Sequence, residues 1–266
     1  MQFIDYQHKD DFLKSIEEDD FDGTDVDAVF HEGACSDTME YDVNFMMRVN
    51  YEYSKAVLHF CLQHRIPFLY ASSASTYGAG KNGFTEGDDC EDALNPYAFS
   101  KLAFDRYVRQ VMPESRSQIV GLKYFNVYGP QEHHKGKMAS IFYQLYNQIN
   151  ESGKVRLFKG WGDIQGKPVR DGEQRRDFVY VKDVVNVNLW FWENKGESGI
   201  YNCGTDMLTA TMKWRRPSLM RWAKAKSPIA NSRKSSRANT RTTRKLTRRT
   251  CWPPATTRAS PIWKRP

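Results

Sequence analysis

Apolar positions follow two rhythms along the first two hundred residues. VDAVFHEGA (26–34) is an apolar run that ends in a glycine turn, the pattern of a buried strand. In NFMMRVNYEYSKAVLHFCLQHR (44–65), Met46, Val49, Tyr53, Val57, Leu58 and Cys61 fall on one helical stripe. IPFLYAS (66–72) reads as a strand. NPYAFSKLAFDRYVRQVM (95–112) reads as a helix, with Asn95 at the N-cap, Pro96 at N1 and Pro113 just past the end. QIVGLKYF (118–125) is a further strand, followed by a helix near 138–150 and a short strand near 155–158. DFVYV (177–181) reads as a strand, Asp183 is placed to cap the helix VVNVNLWFWEN, and GIYNCGT (199–205) is the last strand.

Strand and helix alternate from 26 to 125 at spacings that allow crossovers. This predicts an α/β fold, a parallel sheet with helices on both faces. Ligands of such sheets sit beyond the carboxyl ends of the strands. Here those ends hold His31–Ser36, Ser72–Gly78 and Asn126–Pro130, where polar and glycine residues replace apolar ones.

Charge divides the chain in a way hydropathy does not. The net charge is +7, but residues 207–266 hold 17 of the 39 basic residues and no acidic one, which leaves 22 basic against 32 acidic residues in the body, a balance of −10. The acidic body and the basic tail need separate readings. The tail is rich in Lys, Arg, Thr, Ser, Ala and Pro without an apolar period, and is expected to be disordered in isolation. The sequence has no long apolar run and no secretory-type start, and its five cysteines lack a C-x-x-C pair. These features point to a cytoplasmic protein with reduced thiols, without a membrane span or zinc site.

Three tyrosines stand four residues before a lysine: Tyr51/Lys55, Tyr77/Lys81 and Tyr97/Lys101. On a helix that spacing puts both side chains on one face. Tyr77 and Lys81 are separated by two glycines, a poor helix, and Tyr51 has no evident hydroxyl partner. Tyr97 opens a helix about two dozen residues after a strand that ends in SSASTYG, which can bring a serine hydroxyl near its phenol. A phenol of pKa about 10 beside an ammonium is expected to titrate closer to neutrality and to act as a general base. The alternative for Ser72 and Ser73 is a plain strand-end turn, and for Lys135 beside His133 and His134 a solvated loop.

SSASTYG, YAFSK and KYFNVYGP together resemble the extended short-chain dehydrogenase/reductase family that acts on nucleotide sugars. FHEGACSDTMEYD, LYASSASTYG, YFNVYGPQEHHKGKMAS and RDFVYVKDVVNVNLWF are most similar to its ADP-L-glycero-D-manno-heptose 6-epimerases, over residues 3 to 205. The resemblance implies a Rossmann-like doubly wound sheet, an NADP cofactor, an ADP-heptose substrate for lipopolysaccharide inner-core synthesis, and homo-oligomers. It implies Ser73, Tyr97 and Lys135 as catalytic residues. It implies Glu32, Gly33, Ala34, Cys35, Ser36, Asn50, Lys101 and Val127 at the cofactor, and Asn126, Lys137, Gln144, Phe158, Gly160 and Arg176 at the substrate. Lys137 and Gln144 stand where the family resemblance leads one to expect serine and histidine. Arg176 can clamp a phosphate or pair with Asp177. Related dehydratases carry an acid pair just after the serine, where this chain has Ala74 and Ser75.

The resemblance also exposes gaps. No G-x-x-G-x-x-G or G-x-G-x-x-G follows an apolar run, so the sheet is expected to lack its first β-α-β elements and the diphosphate cradle they carry. The expected layout is an incomplete NADP-binding domain over 1–130 and a partial substrate-binding region over 131–205, with 177–190 returning to the core. The basic tail over 206–266 is expected to be non-native. Two function classes follow: a nucleotide-sugar epimerase, or a fragment that keeps the motifs without holding NADP and turns over little. A basic arm for nucleic acid or an anionic membrane is the rival reading of the tail. The tail is expected to arise from a shifted reading frame; translation of the gene in its other frames should restore family-like sequence, and its failure to do so would reject that origin.

Overall fold

The computed structural model describes residues 5–21, 23, 25–160, 163–164 and 167–210. The expectation for the basic segment beyond 210 lies outside the described residues. The chain divides into two compact units: among the described residues the first holds 5–125 and 182–204, the second 126–181 and 205–210.

The first unit opens with α1 (Lys9–Glu17), a helix not among the expected elements, which packs partly buried Phe12 and Ile16 against the core. Its Phe12 meets Phe21 and Phe60 edge to face. β1 (Val29–His31) is shorter than the apolar run predicted. The long helical stripe is real but not uniform. α2 (Val43–Met46) is capped by Asp42, then Met47–Glu52 widens to π-helical winding, then α3 (Tyr53–His64) resumes. Such widened turns occur often at functional sites. Here it carries the fully buried Asn50.

β2 (Phe68–Ser73) runs directly into a 3₁₀ turn, Ala74–Tyr77. Gly78 then turns the chain with φ +57°, and a Cβ there would strike the Asp92 carbonyl at 1.8 Å, so only glycine fits. α4 (Pro96–Val111) begins as predicted: Asn95 accepts a hydrogen bond from the Ala98 amide, and Pro96 occupies the first turn. β3 (Ile119–Tyr124) follows.

In the second unit β4 (Asn126–Tyr128) pairs parallel with β7 (Arg175–Tyr180), and β7 pairs antiparallel with β9 (Leu208–Ala210). Between β4 and β7 lie α5 (Ile141–Ser152), capped by Ser140, and the small antiparallel pair β5 (Asp163–Ile164) and β6 (Lys167–Pro168). The strand expected near 155–158 is irregular chain. Val155, Leu157 and Phe158 are exposed and pack no face. α6 (Val181–Glu193) starts three residues earlier than the sequence suggested, so Asp183 lies inside its first turn and not at its cap. β8 (Gly199–Cys203) closes the main sheet.

That sheet has the order β1-β2-β3-β8, and every pair is parallel. It confirms the Rossmann-like α/β class. Phe68 and Tyr70 of β2 pack with Ile119 of β3, Val57 and Phe60 of α3, and Phe104 and Val108 of α4 in one buried core. Each such side chain contributes about 1.5–3 kcal/mol by leaving water. Side chains alternate along a strand, so Ser72 and Lys123 share the face of Phe68, Tyr70 and Ile119. The core therefore leads toward the carboxyl ends of the strands and turns polar there.

Asn95→Ala removes the cap of α4 while burying nothing new. It should lower stability by about 1 kcal/mol, read as a shift in the urea unfolding midpoint.

Candidate active site

The carboxyl end of β2 and the first two turns of α4 bring three predicted residues together. The Ser73 hydroxyl accepts hydrogen bonds from the Ser75 amide at 3.2 Å and the Ser75 hydroxyl at 2.8 Å. The Tyr97 phenol faces this Ser73 hydroxyl, which favours its ionised form. Lys101, one turn further along α4, is buried and donates to the Ala71 carbonyl at 2.8 Å.

The electrostatics correct the expectation drawn from spacing. The Tyr97 phenol is held above its ordinary pKa, chiefly because surrounding protein strips its solvation; Ser73 works against this, while Cys35 and Asp105 reinforce it. Lys101 is turned to a backbone carbonyl and does not supply the lowering that the four-residue spacing suggested. Burial pushes Lys101 itself down to about 8, with the Asp105 and Glu32 carboxylates opposing.

The loop after β1 meets the same helix. Asn50 accepts from the Cys35 amide at 2.8 Å and donates to the Cys35 carbonyl at 2.9 Å and the Ser100 hydroxyl at 3.0 Å. The π-helical turn thus clamps the Glu32–Ser36 loop to α4. Glu32 accepts from Tyr124 at 2.8 Å, and Tyr124 accepts from Asn188 of α6 at 2.8 Å. Glu32 is open to solvent on one side, yet enough protein surrounds its carboxyl for desolvation to raise its pKa. Gly33 and Ala34 are exposed along the loop, as is Ser36. A Cβ built on Gly33 would meet nothing within 4 Å, so a flat group can lie against the backbone.

The other predicted residues belong to the second unit. Asn126 donates to the Asp177 carbonyl at 2.9 Å, and Val127 pairs with Val179. Lys135 and Lys137 are exposed on the 3₁₀ segment His133–Met138. Buried Glu132 shapes that loop by accepting from the Gly129 amide at 3.0 Å, the Ser140 amide at 2.6 Å and the Ser140 hydroxyl at 2.8 Å. Gln144 spends its amide donors on the Lys137 and Ala139 carbonyls. Phe158 is 62% exposed, and Gly160 donates to Asp171 at 2.6 Å. Arg176 donates to the Arg175 carbonyl at 2.8 Å, while Asp177 is engaged by Thr205 and Asp206.

Sequence reasoning missed a buried ionic cluster on the polar end of the core. Lys123, fully buried, donates to Thr76 at 2.8 Å, Asp105 at 2.7 Å and Glu91 at 2.9 Å. Arg109 holds both oxygens of Glu91, at 2.9 and 2.6 Å. The signal was a lysine at an inward-facing position of the apolar strand QIVGLKYF. The competing tyrosine–lysine pairs have structural uses. Tyr77 is buried and donates to Asn202 at 2.8 Å, and Lys55 lies over the Tyr51 and Tyr107 rings. Cys35, Cys61, Cys90 and Cys203 are free thiols, no cluster among the described residues suits a metal ion, and none of their helices is long and apolar enough to cross a membrane.

Comparison with known proteins agrees with the fold. Residues 5–204 match the model of the NAD dependent epimerase/dehydratase family. The Helicobacter pylori ADP-L-glycero-D-manno-heptose-6-epimerase is 32% identical, with a TM-score of 0.63 over 80% of this chain and 61% of that one. The Methanobrevibacter ruminantium UDP-N-acetylglucosamine 4-epimerase, solved with UDP-N-acetylmuramic acid, is 24% identical, with a TM-score of 0.61 over 70% and 57%. RMD of Pseudomonas aeruginosa, solved with NADPH, is 21% identical, with a TM-score of 0.56 over 75% and 66%. The last two likenesses concern the fold alone. The chain thus spans 61% of the length of the heptose epimerase it matches.

His31 gives the site a pH dependence. Ser54 donates its proton to the Asn50 carbonyl, so His31 Nε2 must donate to Ser54, at 2.8 Å. Burial, aided by Lys101, lowers the His31 pKa to about 3. A histidine depressed below its unfolded value stabilises the fold fully above pH ~6.5, and that contribution is lost as pH falls toward 3. Urea unfolding at pH 7 and pH 5 should therefore show the His31→Gln variant losing about 2 kcal/mol less than the parent between the two conditions.

Proposed function

The chain belongs to the NAD dependent epimerase/dehydratase family, and from that premise we propose that it is a nucleotide-sugar epimerase that inverts C6 of ADP-heptose with NADP. The observation that carries this reading is the placement of the Tyr97 phenol beside the Ser73 hydroxyl, with Lys101 buried one turn on. Ser73 orients the reacting hydroxyl and the Tyr97 phenol. Tyr97 takes the hydroxyl proton on one face of the sugar as the carbon is oxidised. Lys101, whose pKa of about 8 leaves it mostly cationic at neutral pH, offers further N–H donors to a cofactor ribose.

The donor set of the first unit suits the nicotinamide-ribose part of a dinucleotide. The exposed loop Glu32–Ser36 is open above Gly33, is anchored by Asn50, and lies on the same unit as the Lys101 ammonium. That cofactor, when bound, supplies a reversible hydride acceptor. In the second unit Val127 is assigned to the cofactor, and Lys135 is assigned the proton transfer on the opposite face of the sugar. Asn126, Lys137, Gln144, Phe158, Gly160 and Arg176 are assigned to the substrate, with Gln144 acting through the loop it braces.

Epimerisation is favoured over elimination because Ala74 and Ser75 follow Ser73. Neither can protonate a leaving hydroxyl. The heptose reading draws on HEGACS and EHHKGKMAS and on the likeness to the Helicobacter pylori enzyme. In the same way NADP is preferred to NAD, a homo-oligomer to a monomer, and the cytoplasm as the location.

The test is proton NMR of ADP-D-glycero-D-manno-heptose incubated with the full chain and excess NADP. The C6 epimer should accumulate without a dehydrated keto-sugar, and Tyr97→Phe should lower the rate about 100-fold or more. A dehydrated product, or inversion of a UDP-hexose at C4 in preference, would overturn the assignment.

A further inference from the structure

Asp105 stands four residues after Lys101 and eight after Tyr97, on the same stripe of α4. It is fully buried. One carboxylate oxygen accepts from Tyr70 at 2.9 Å; the other accepts from Ser72 at 2.6 Å and from Lys123 at 2.7 Å. Lys123 also holds Thr76, and the Thr76 hydroxyl donates to the Ser73 carbonyl at 2.9 Å. Lys101 holds the Ala71 carbonyl. Three consecutive residues at the tip of β2 are therefore pinned from beneath: Ala71 by Lys101, Ser72 by Asp105, and Ser73 through Thr76 by Lys123.

The same carboxylate meets an electrostatic need. Lys101 and Lys123 are both buried, and an unpaired buried ammonium is costly. Glu91 is shared by Lys123 and Arg109. Lys101 has the Ala71 carbonyl as its hydrogen-bond acceptor, and among the described residues the carboxylates that act on its charge are Asp105 and Glu32. Glu32 sits on the exposed loop and His31 beside it is neutral, which leaves Asp105 as the fixed counter-charge.

We propose that Asp105 is a positioning residue for the Ser73–Tyr97–Lys101 group: it anchors the strand tip that presents Ser73 and serves as the buried counterion of Lys101. Its dependence on the epimerase reading is partial, because the electrostatic half can be measured in the absence of any sugar. Asp105 opposes the lowering of the Lys101 pKa and reinforces the raising of the Tyr97 pKa. Neutralising it should move both groups downward.

The experiment is Asp105→Asn in the full chain, nearly isosteric, followed by ¹³C NMR titration of the Lys101 side chain. The Lys101 midpoint is expected to fall by about one pH unit from its parental value. A folded variant whose Lys101 titrates as in the parent would overturn the proposal. Should Asp105→Asn not fold, Lys123→Gln carries the test. It keeps donors for Thr76 and Asp105 but removes the competing cation, so the Lys101 midpoint should rise; no movement would overturn the proposal. With ADP-heptose and NADP, Asp105→Asn should also lower kcat about tenfold or more with KM within about twofold, and shift the acid limb of the rate profile downward. If the parent chain shows no epimerase turnover, the function assigned above fails while the Lys101 titration still judges Asp105.

Discussion

A fully buried lysine ammonium governs the architecture of the first unit. Lys123 points inward from the centre of a parallel sheet, and its three N–H groups are taken by Thr76, Asp105 and Glu91. Removing one partner of such a group typically costs about 3–5 kcal/mol, because the other charge is left buried and unpaired. The neighbouring elements are thereby held in one arrangement. The 3₁₀ turn after β2 must bring Thr76 over the ammonium, α4 must present Asp105 to it, and the excursion through Glu91 must return to the sheet. Arg109 then neutralises what remains of Glu91.

That constraint explains why the site sits where it does. Ser72 and Ser73 end a strand whose earlier residues, Phe68 and Tyr70, are core. The change from apolar to polar along one face of β2 is matched on α4, where Phe104 and Val108 pack the core while Tyr97, Lys101 and Asp105 face the polar end. The helix brings acid, base and cation to the strand tip because its 3.6-residue period stacks positions 97, 101 and 105. The π-helical turn does similar work on the other side, where Asn50 reaches both the Cys35 backbone and Ser100. Burial is the common cause of the unusual titration behaviour here. It depresses His31 and Lys101 and raises Tyr97 and Tyr124, and specific partners modify each shift.

Much of this was legible in the amino-acid order. The four strands of the main sheet and the cap of α4 at Asn95 follow from local chemistry: apolar runs, and a capping side chain with proline behind it. Local signals failed where no packing decides the outcome. Residues 155–158 look like a strand in composition, but Val155, Leu157 and Phe158 stay exposed, and α1 packs only partly buried Phe12 and Ile16 against the core. The start of α6 was misplaced because Asp183 resembles a cap, whereas the chain leaves β7 already turning into the helix.

Sequence by itself determined which residues meet along one helix or one strand, because periodicity is a local geometric property. Tertiary structure alone decided what those residues experience. Spacing set Lys101 one turn from Tyr97, but whether its charge lowers the phenol depends on how deeply both are buried and on which acceptor the ammonium finds. The nearest acceptor is the Ala71 carbonyl, 30 positions earlier in the chain. The counter-charges come from two directions, Glu32 on the loop after β1 and Asp105 further along the same helix. Desolvation and long-range charge are sums over everything packed nearby, and no short stretch of sequence contains that sum.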